Sequence, residues 1–243
     1  MNALQRLAYE KEHAAAIVAA GGVAPLVSNN AEGVQGYAAA ALLQLVCRCG
    51  EETAALMAGA SAAKPLVACL NSQWEWAQVQ GAAVLAAMAA DSITSGALGT
   101  IESLMDAGAI VPLVRCLSSP SQEVQAQAAV ALRVLLEEGG EKRGSAVAAA
   151  GGVVPLISCL SSTSVQVQSA AATALSNFAA CSTSCAEQAA AAGAIDPMVV
   201  ILSGADTSDE LRGAAAWALG ALAASDKLAD PRALLQLQAR SPC

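Results

Sequence analysis

The chain has 243 residues, of which 56% are hydrophobic but only 2% aromatic, and its formal net charge is −8. Basic residues are scattered, with no cluster longer than Lys142-Arg143, so neither nucleic acid nor an anionic membrane surface is an expected partner. The apolar residues are mainly Ala, Leu and Val, which together favour an all-helical chain.

The first residues predict no targeting segment and no membrane insertion. Charged side chains lie between Arg6 and His13, so no signal peptide is expected. The apolar runs are interrupted by Gly-Gly or Pro every forty-odd residues, which is too often for a membrane span of about 20 residues.

Two phrases recur through the rest of the chain with a common period. The first resembles Gly-Gly-Val-Val-Pro-Leu-Ile, and its prolines are 40, 47, 43 and 42 residues apart. The second resembles Val-Gln-Ser-Ala-Ala-Ala-Thr-Ala-Leu, and its starts are 45, 45, 43 and 44 residues apart. The prolines are Pro25, Pro65, Pro112, Pro155 and Pro197, and the second phrase starts at Val34, Val79, Val124, Val167 and Leu211.

Each period predicts three helices. A short Ala-rich helix ends at Gly, a second helix carries Pro in its first turn, and a Ser-rich turn leads into a third helix. The third helix has apolar residues at offsets 0, 4, 5, 8 and 11 from the phrase start, which is a helical period. In the first repeat only nine residues separate Pro25 from Val34, so its middle helix is predicted to be short.

These phrases resemble the armadillo repeat family, most clearly between Gly151 and Ala180. The resemblance covers nearly the whole chain and implies a right-handed, all-α solenoid of about five armadillo repeats with partial terminal units. We expect one solenoid over 1–243, with a closing helix that carries Leu228, Leu234, Leu235 and Leu237. The predicted repeats are 9–49, 50–91, 92–138, 139–182 and 183–225, with the end of a partial unit at 1–8 and the closing helix or tail at 226–243.

The residues favour neither an enzyme nor a metal or cofactor site. His13 is the single histidine, and no phosphate-binding glycine loop is present. The close cysteine pairs, Cys47 with Cys49 and Cys181 with Cys185, do not make a four-ligand zinc site. Three other cysteines lie four residues after a repeated proline and are expected to be reduced core thiols, namely Cys69, Cys116 and Cys159.

The resemblance implies that third helices line a concave, protein-binding groove. Import adaptors of the family repeat Trp at offset 6 and Asn at offset 10 there, but only Trp217 and Asn177 match, in different repeats. The groove is therefore expected to be shallow and largely apolar, and suited to helical or extended segments of a partner. The candidate groove residues, at offsets 3, 6 and 10, are Tyr37, Gln44, Leu85, Gln127, Val130, Val134, Thr173, Asn177 and Trp217.

Trp74 and Trp76 form a separate candidate site in the turn before the third helix of the second repeat. Two readings stay open from sequence: the pair anchors a partner, or it folds back over the adjacent repeat.

The sequence thus predicts a non-catalytic scaffold or adaptor, a structural subunit of a larger, cytoskeletal or flagellar assembly. Proteins are the expected partners, in the groove and at uncapped ends. The alternative is the substrate-binding armadillo portion of a ubiquitin ligase, and nuclear import is less favoured. The expected location is intracellular and cytoplasmic, with cytoskeleton or cilium as candidates.

Overall fold

The computed structural model describes residues 11–28, 32–49, 57, 62–95, 99–137, 140–204 and 207–223, and the regular secondary structure in these ranges is helical. The chain divides into two compact units, Met1–Cys116 and Leu117–Cys243, called here the N-terminal unit and the C-terminal unit. The predicted partial repeat at 1–8 and the closing helix at 226–243 lie outside the described residues.

The N-terminal unit is organised around two long third helices. Helix α3 packs against α1, α2 and α5, and α5 packs against α4 and α6. Helix α2 has only five residues, as the short spacing in the first repeat predicted. The helices are α1 (Lys11–Ala19), α2 (Val23–Val27), α3 (Glu32–Cys49), α4 (Ala63–Leu70), α5 (Glu75–Ser95), α6 (Gly99–Asp106) and α7 (Ile110–Cys116).

The C-terminal unit is organised around α11, which packs against α8 on one side and α14 on the other, and also against α9, α10 and α12. Both units are thus built from short helices around long third helices, which confirms the predicted all-α solenoid class. The helices are α8 (Gln122–Leu136), α9 (Gly140–Ala149), α10 (Val153–Cys159), α11 (Val165–Cys181), α12 (Thr183–Ala191), α13 (Ile195–Ser203) and α14 (Asp209–Ala223).

The helix ends follow from the predicted Gly and Ser positions. Gly151 and Gly193 follow first helices and have φ angles of 73° and 88°, a left-handed conformation that costs glycine little. The side chains of Ser121, Ser164 and Ser208 each accept a hydrogen bond from the backbone N–H three residues ahead. Each therefore caps the N-terminus of a third helix.

The three repeated cysteines lie in the core, as predicted. The Cys116 thiol donates a hydrogen bond to the carbonyl oxygen of Leu70 (3.8 Å), and the Cys159 thiol donates to that of Leu117 (3.7 Å). The Cys116 bond links α7 to the last residue of α4, where carbonyl groups lack partners within the helix.

The core is built from small and branched aliphatic side chains, with Phe178 as its largest fully buried member. Arg143 is also buried, and its guanidinium donates to the carbonyl oxygens of Leu135 and Glu137 (both 3.2 Å) at the end of α8. Within the described ranges, no single helix has the length and hydropathy needed to cross a membrane. A bent pair, Thr183–Ala191 with Ile195–Ser203 at 77°, meets that test jointly, by length and composition only.

Candidate protein-binding surfaces

Most of the described aromatic side chains are exposed to solvent. Among the described aromatic residues, Phe178 is buried, whereas Tyr37, Trp74, Trp76 and Trp217 are 44%, 60%, 38% and 70% exposed. Aromatic rings usually supply core area, and here Ala, Leu and Val supply it instead. Large exposed rings are the side chains that most often anchor a protein partner.

Tyr37 and Trp76 meet in the N-terminal unit. Their ring centroids are 4.7 Å apart and the ring planes are inclined at 59°. A Cβ atom at Gly36 would lie 2.7 Å from the Trp76 ring and 3.3 Å from the Ala77 Cα, so only glycine allows α5 to approach α3 this closely. Trp76 thus folds back over the adjacent repeat, as one of the two readings predicted, and still keeps an exposed edge.

Trp74 takes a position that other repeats give to a capping serine. It immediately precedes α5, as Ser121 precedes α8 and Ser164 precedes α11. The local bonding is the same, because the Trp74 N–H donates to the Ser72 hydroxyl (3.1 Å) just as the Ser121 N–H donates to the Ser119 hydroxyl (3.2 Å). The indole cannot replace the serine oxygen as a helix cap, so this repeat has an exposed ring where a stabilising cap would fit.

The turn that carries Trp74 is held from both sides. The Gln78 side-chain amide donates to the Ser72 carbonyl oxygen (2.7 Å), and the Arg115 guanidinium donates to the Asn71 side-chain oxygen. A fixed turn lowers the entropy lost when a partner binds. We call Tyr37, Trp74 and Trp76 the aromatic surface.

Two predicted groove residues are wrong, because Leu85 and Val134 are buried. For Leu85 the cause is the register of α5. Gln78 bonds to Ser72 as Gln125 bonds to Ser119, so these two glutamines are equivalent.

The equivalent of Val124 is therefore Ala77, which lies two residues before Val79, the predicted start of the third-helix phrase in this repeat. In the corrected register Leu85 is a core leucine, and the partly exposed positions at offsets 3, 6 and 10 are Gln80, Ala83 and Ala87. The signal in the sequence was a second candidate start two residues earlier, because Ala77-Gln78 directly precedes Val79-Gln80.

Val134 is buried for a different reason. It lies on α8, which packs against α11, and its isopropyl group enters the core because burying apolar area is favourable. Gln44, Gln127 and Val130 keep partial exposure.

The polar groove candidates of the fourth repeat are engaged within the protein. The Asn177 side-chain amide donates to the Arg133 carbonyl oxygen (2.9 Å), and the Thr173 hydroxyl donates to the Ser169 carbonyl oxygen (2.9 Å). Asn177 therefore bridges α11 to α8, and one of its two N–H groups is already used within the protein.

Trp217 lies on a second exposed surface, in the C-terminal unit. A shallow cavity of ≈ 660 Å³ adjoins its ring. The helix face around the cavity has glycine and alanine side chains, so the ring stands well above it. We call this the Trp217 surface, lined by Ala180, Gly213, Ala216, Trp217, Gly220 and Ala221.

A cleft that the sequence did not predict also lies in the C-terminal unit. It has a volume of ≈ 720 Å³, and Val165, Val200 and Asp196 contribute to its lining. Val165 and Val200 are exposed. Its lining residues lie on α13 and near the starts of α11 and α14, whereas the predicted groove positions lie farther along the third helices.

The buried thiols of the core have low reactivity. Burial raises the pKa of Cys69 and of Cys159 to about 11, and burial also raises the pKa of Cys116. At neutral pH these groups are protonated and are poor nucleophiles and metal ligands. Among the described residues, no group of three or more His, Cys, Asp or Glu side chains is placed to hold a metal ion.

Comparison with known proteins gives a consistent picture. The profile of the Armadillo/beta-catenin-like repeat matches residues 93–137 and 145–180. The chain is similar to a crystal structure of an engineered protein, with 31% identity, a TM-score of 0.82, and coverage of 91% of this chain and 88% of that chain. No curated protein matches the sequence significantly.

Two other similar structures are designed proteins. One is a computationally designed armadillo repeat protein for modular peptide recognition, with 27% identity and a TM-score of 0.79 over 90% of each chain. Another is a designed armadillo repeat protein in complex with the peptide (KR)4, with 26% identity and a TM-score of 0.77 over 90% of each chain.

Proposed function

The chain belongs to the armadillo repeat family, and we propose that it is a non-catalytic protein-binding scaffold that docks a partner on its aromatic surface. The observation that carries the proposal is the inverted placement of its aromatic residues. Tyr37, Trp74 and Trp76 are exposed while aliphatic side chains fill the core. A chain that needed these rings for stability would bury them.

Trp74 is the anchor of this surface. Its ring is 60% exposed on a turn fixed by Gln78 and Arg115, and it replaces a side chain that would have stabilised α5. Exposed tryptophans on rigid backbone are typical binding hot spots.

The test is affinity purification with chemical crosslinking from the native source, using wild-type and substituted bait. Trp74→Ala is expected to reduce recovery of the crosslinked partner about tenfold or more, because a hot-spot residue contributes over about 1.4 kcal/mol. Val111→Ala is the matched control, since Val111 is an exposed apolar residue of the same unit, and it should leave recovery unchanged. Equal recovery with Trp74→Ala and wild type would remove the aromatic surface from the proposal.

The proposal further describes the chain as a structural subunit of a larger, cytoskeletal or flagellar assembly in a reducing cytoplasmic compartment. Free cysteines support the compartment, and the assembly rests on the family resemblance. The same crosslinked material discriminates the alternative: ubiquitin-conjugating enzymes among the partners would favour the substrate-binding portion of a ligase over a structural subunit.

Nuclear import is the less favoured function. The designed relative binds a Lys/Arg peptide, but in this chain Asn177 already bonds to Arg133, and Trp217 lies in another repeat. A ladder of Trp and Asn side chains, needed to clasp basic side chains by cation–π contact, is not formed by these two residues.

A further inference from the structure

The face of α14 differs from the same face of every other third helix. With the α5 start corrected to Ala77, the third-helix phrases start at Val34, Ala77, Val124, Val167 and Leu211. Each has an alanine five residues later: Ala39, Ala82, Ala129, Ala172 and Ala216. The first four are buried, at 2% exposure or less, and the fifth is exposed.

Contacts within each unit explain what buries this position. Helix α3 packs against α5, and α11 packs against α14. At Gly36 of α3, three residues before Ala39, an added Cβ would lie 3.3 Å from the Ala77 Cα of α5. At the corresponding glycine of α14, Gly213, no described residue lies within 4 Å of the added Cβ. The repeat geometry therefore has room for one more helix against α14.

The composition of the Trp217 surface fits a helix. Gly213, Ala216 and Gly220 are exposed on one side of α14, and they leave the cavity of ≈ 660 Å³ beside the Trp217 ring. Small residues allow a second helix to approach closely, and an adjacent large ring can then cover its apolar side chains.

The chain supplies a suitable segment directly after α14. Residues 224–243 contain Leu228, Leu234, Leu235 and Leu237, and Asp230-Pro231 is a sequence typical of a helix start. This segment contains three basic and two acidic side chains, whereas the whole chain has a net charge of −8. A second copy of the chain would bring its full negative charge to the surface, so charge favours the segment as occupant.

We propose that residues 224–243 dock on the Trp217 surface through Leu234 and Leu235 and cover the exposed face of α14. Trp217 is then a structural contact within the chain. Partner binding is left to the aromatic surface of the N-terminal unit, so this inference is independent of the proposed function.

The test follows the fluorescence of Trp217 in the full chain with Trp74→Phe and Trp76→Phe, which leaves one tryptophan. Docking predicts a blue-shifted emission and weak acrylamide quenching. The double substitution Leu234→Asp with Leu235→Asp should shift the emission to the red and increase the quenching severalfold. Ala233→Asp with Gln236→Asp adds the same charge to the opposite side of the same helix without removing leucine, and it should change neither quantity.

Three results would overturn the proposal. They are a red-shifted, readily quenched Trp217 in the full chain, the same response to both double substitutions, and a blue shift that appears only as protein concentration rises. The last result would assign the surface to a second copy. Hydrogen exchange of the unsubstituted chain provides a check that needs no variant. Amides of residues 230–240 should exchange slowly, and complete exchange at the earliest time would contradict docking.

Discussion

The aromatic surface of the N-terminal unit and the Trp217 surface of the C-terminal unit expose similar rings in different settings. Trp76 packs against Tyr37, and Trp74 stands on a turn held by Gln78 and Arg115. Trp217 is surrounded by glycine and alanine, with a cavity beside it. One surface consists of rings that are already packed or held by a fixed turn, and the other has the room that a further helix needs.

The difference shows that exposure alone does not define a binding site. What separates the two surfaces is the repeat position. Trp74 replaces a capping serine outside the contact between third helices, whereas Trp217 adjoins Ala216, which occupies that contact position. An exposed aromatic ring is evidence for a protein partner only at a position where no helix of a neighbouring repeat would pack.

The largest expected effect is on the free energy of unfolding, which should respond to a substitution in the core far more than to one on an exposed surface. Phe178→Ala should lower the free energy of unfolding by about 3–5 kcal/mol, because it leaves a cavity in a fully buried site. Trp74→Ala should change it by less than about 0.5 kcal/mol, as for an exposed residue. Urea denaturation followed by circular dichroism measures both. A comparable loss for Trp74→Ala would mean that the aromatic surface is part of the core.

A glycine pair tests the close approach in one unit against the open face in the other. Gly36→Ala should destabilise the protein by about 1 kcal/mol, since its Cβ would displace the Trp76 ring. Gly220→Ala should also destabilise the protein, because the added methyl group would stand in the contact that residues 224–243 are proposed to make; no described residue lies within 4 Å of that Cβ, so an uncovered face would instead give a stabilisation of about 0.5–1 kcal/mol through helix propensity. Thermal and urea unfolding of the two variants check the signs. Equal signs would show that the two helix faces are packed alike.

The smallest expected effect concerns the cap that α5 lacks. Trp74→Ser should raise the stability of the protein by up to about 1 kcal/mol by restoring a capping hydroxyl, while it removes the proposed anchor. Parallel measurement of unfolding and of partner recovery would separate the two roles. A loss of stability would indicate that the Trp74 ring contributes more to folding than its exposure suggests.

Much of the fold could be predicted from the sequence because its signals are local. The Gly and Pro spacing predicted where helices end and begin, and the serines before α8 and α11 were recognised as caps. The same local signals predicted the short α2 and the buried cysteines. The candidate site was predicted less well. The sequence pattern indicates its aromatic residues, but it places the start of the α5 phrase at Val79, and the turn at Ser72 sets the register two residues earlier.

The sequence by itself determined the repeat and its helices, since capping, proline placement and apolar periodicity act within about ten residues. Tertiary structure decided which side chains remain outside. It turned Leu85 and Val134 inward, bonded Asn177 to Arg133, and placed Trp76 against Tyr37. These outcomes depend on how neighbouring repeats pack, and a helix register that starts two residues earlier places a different set of α5 side chains in the core.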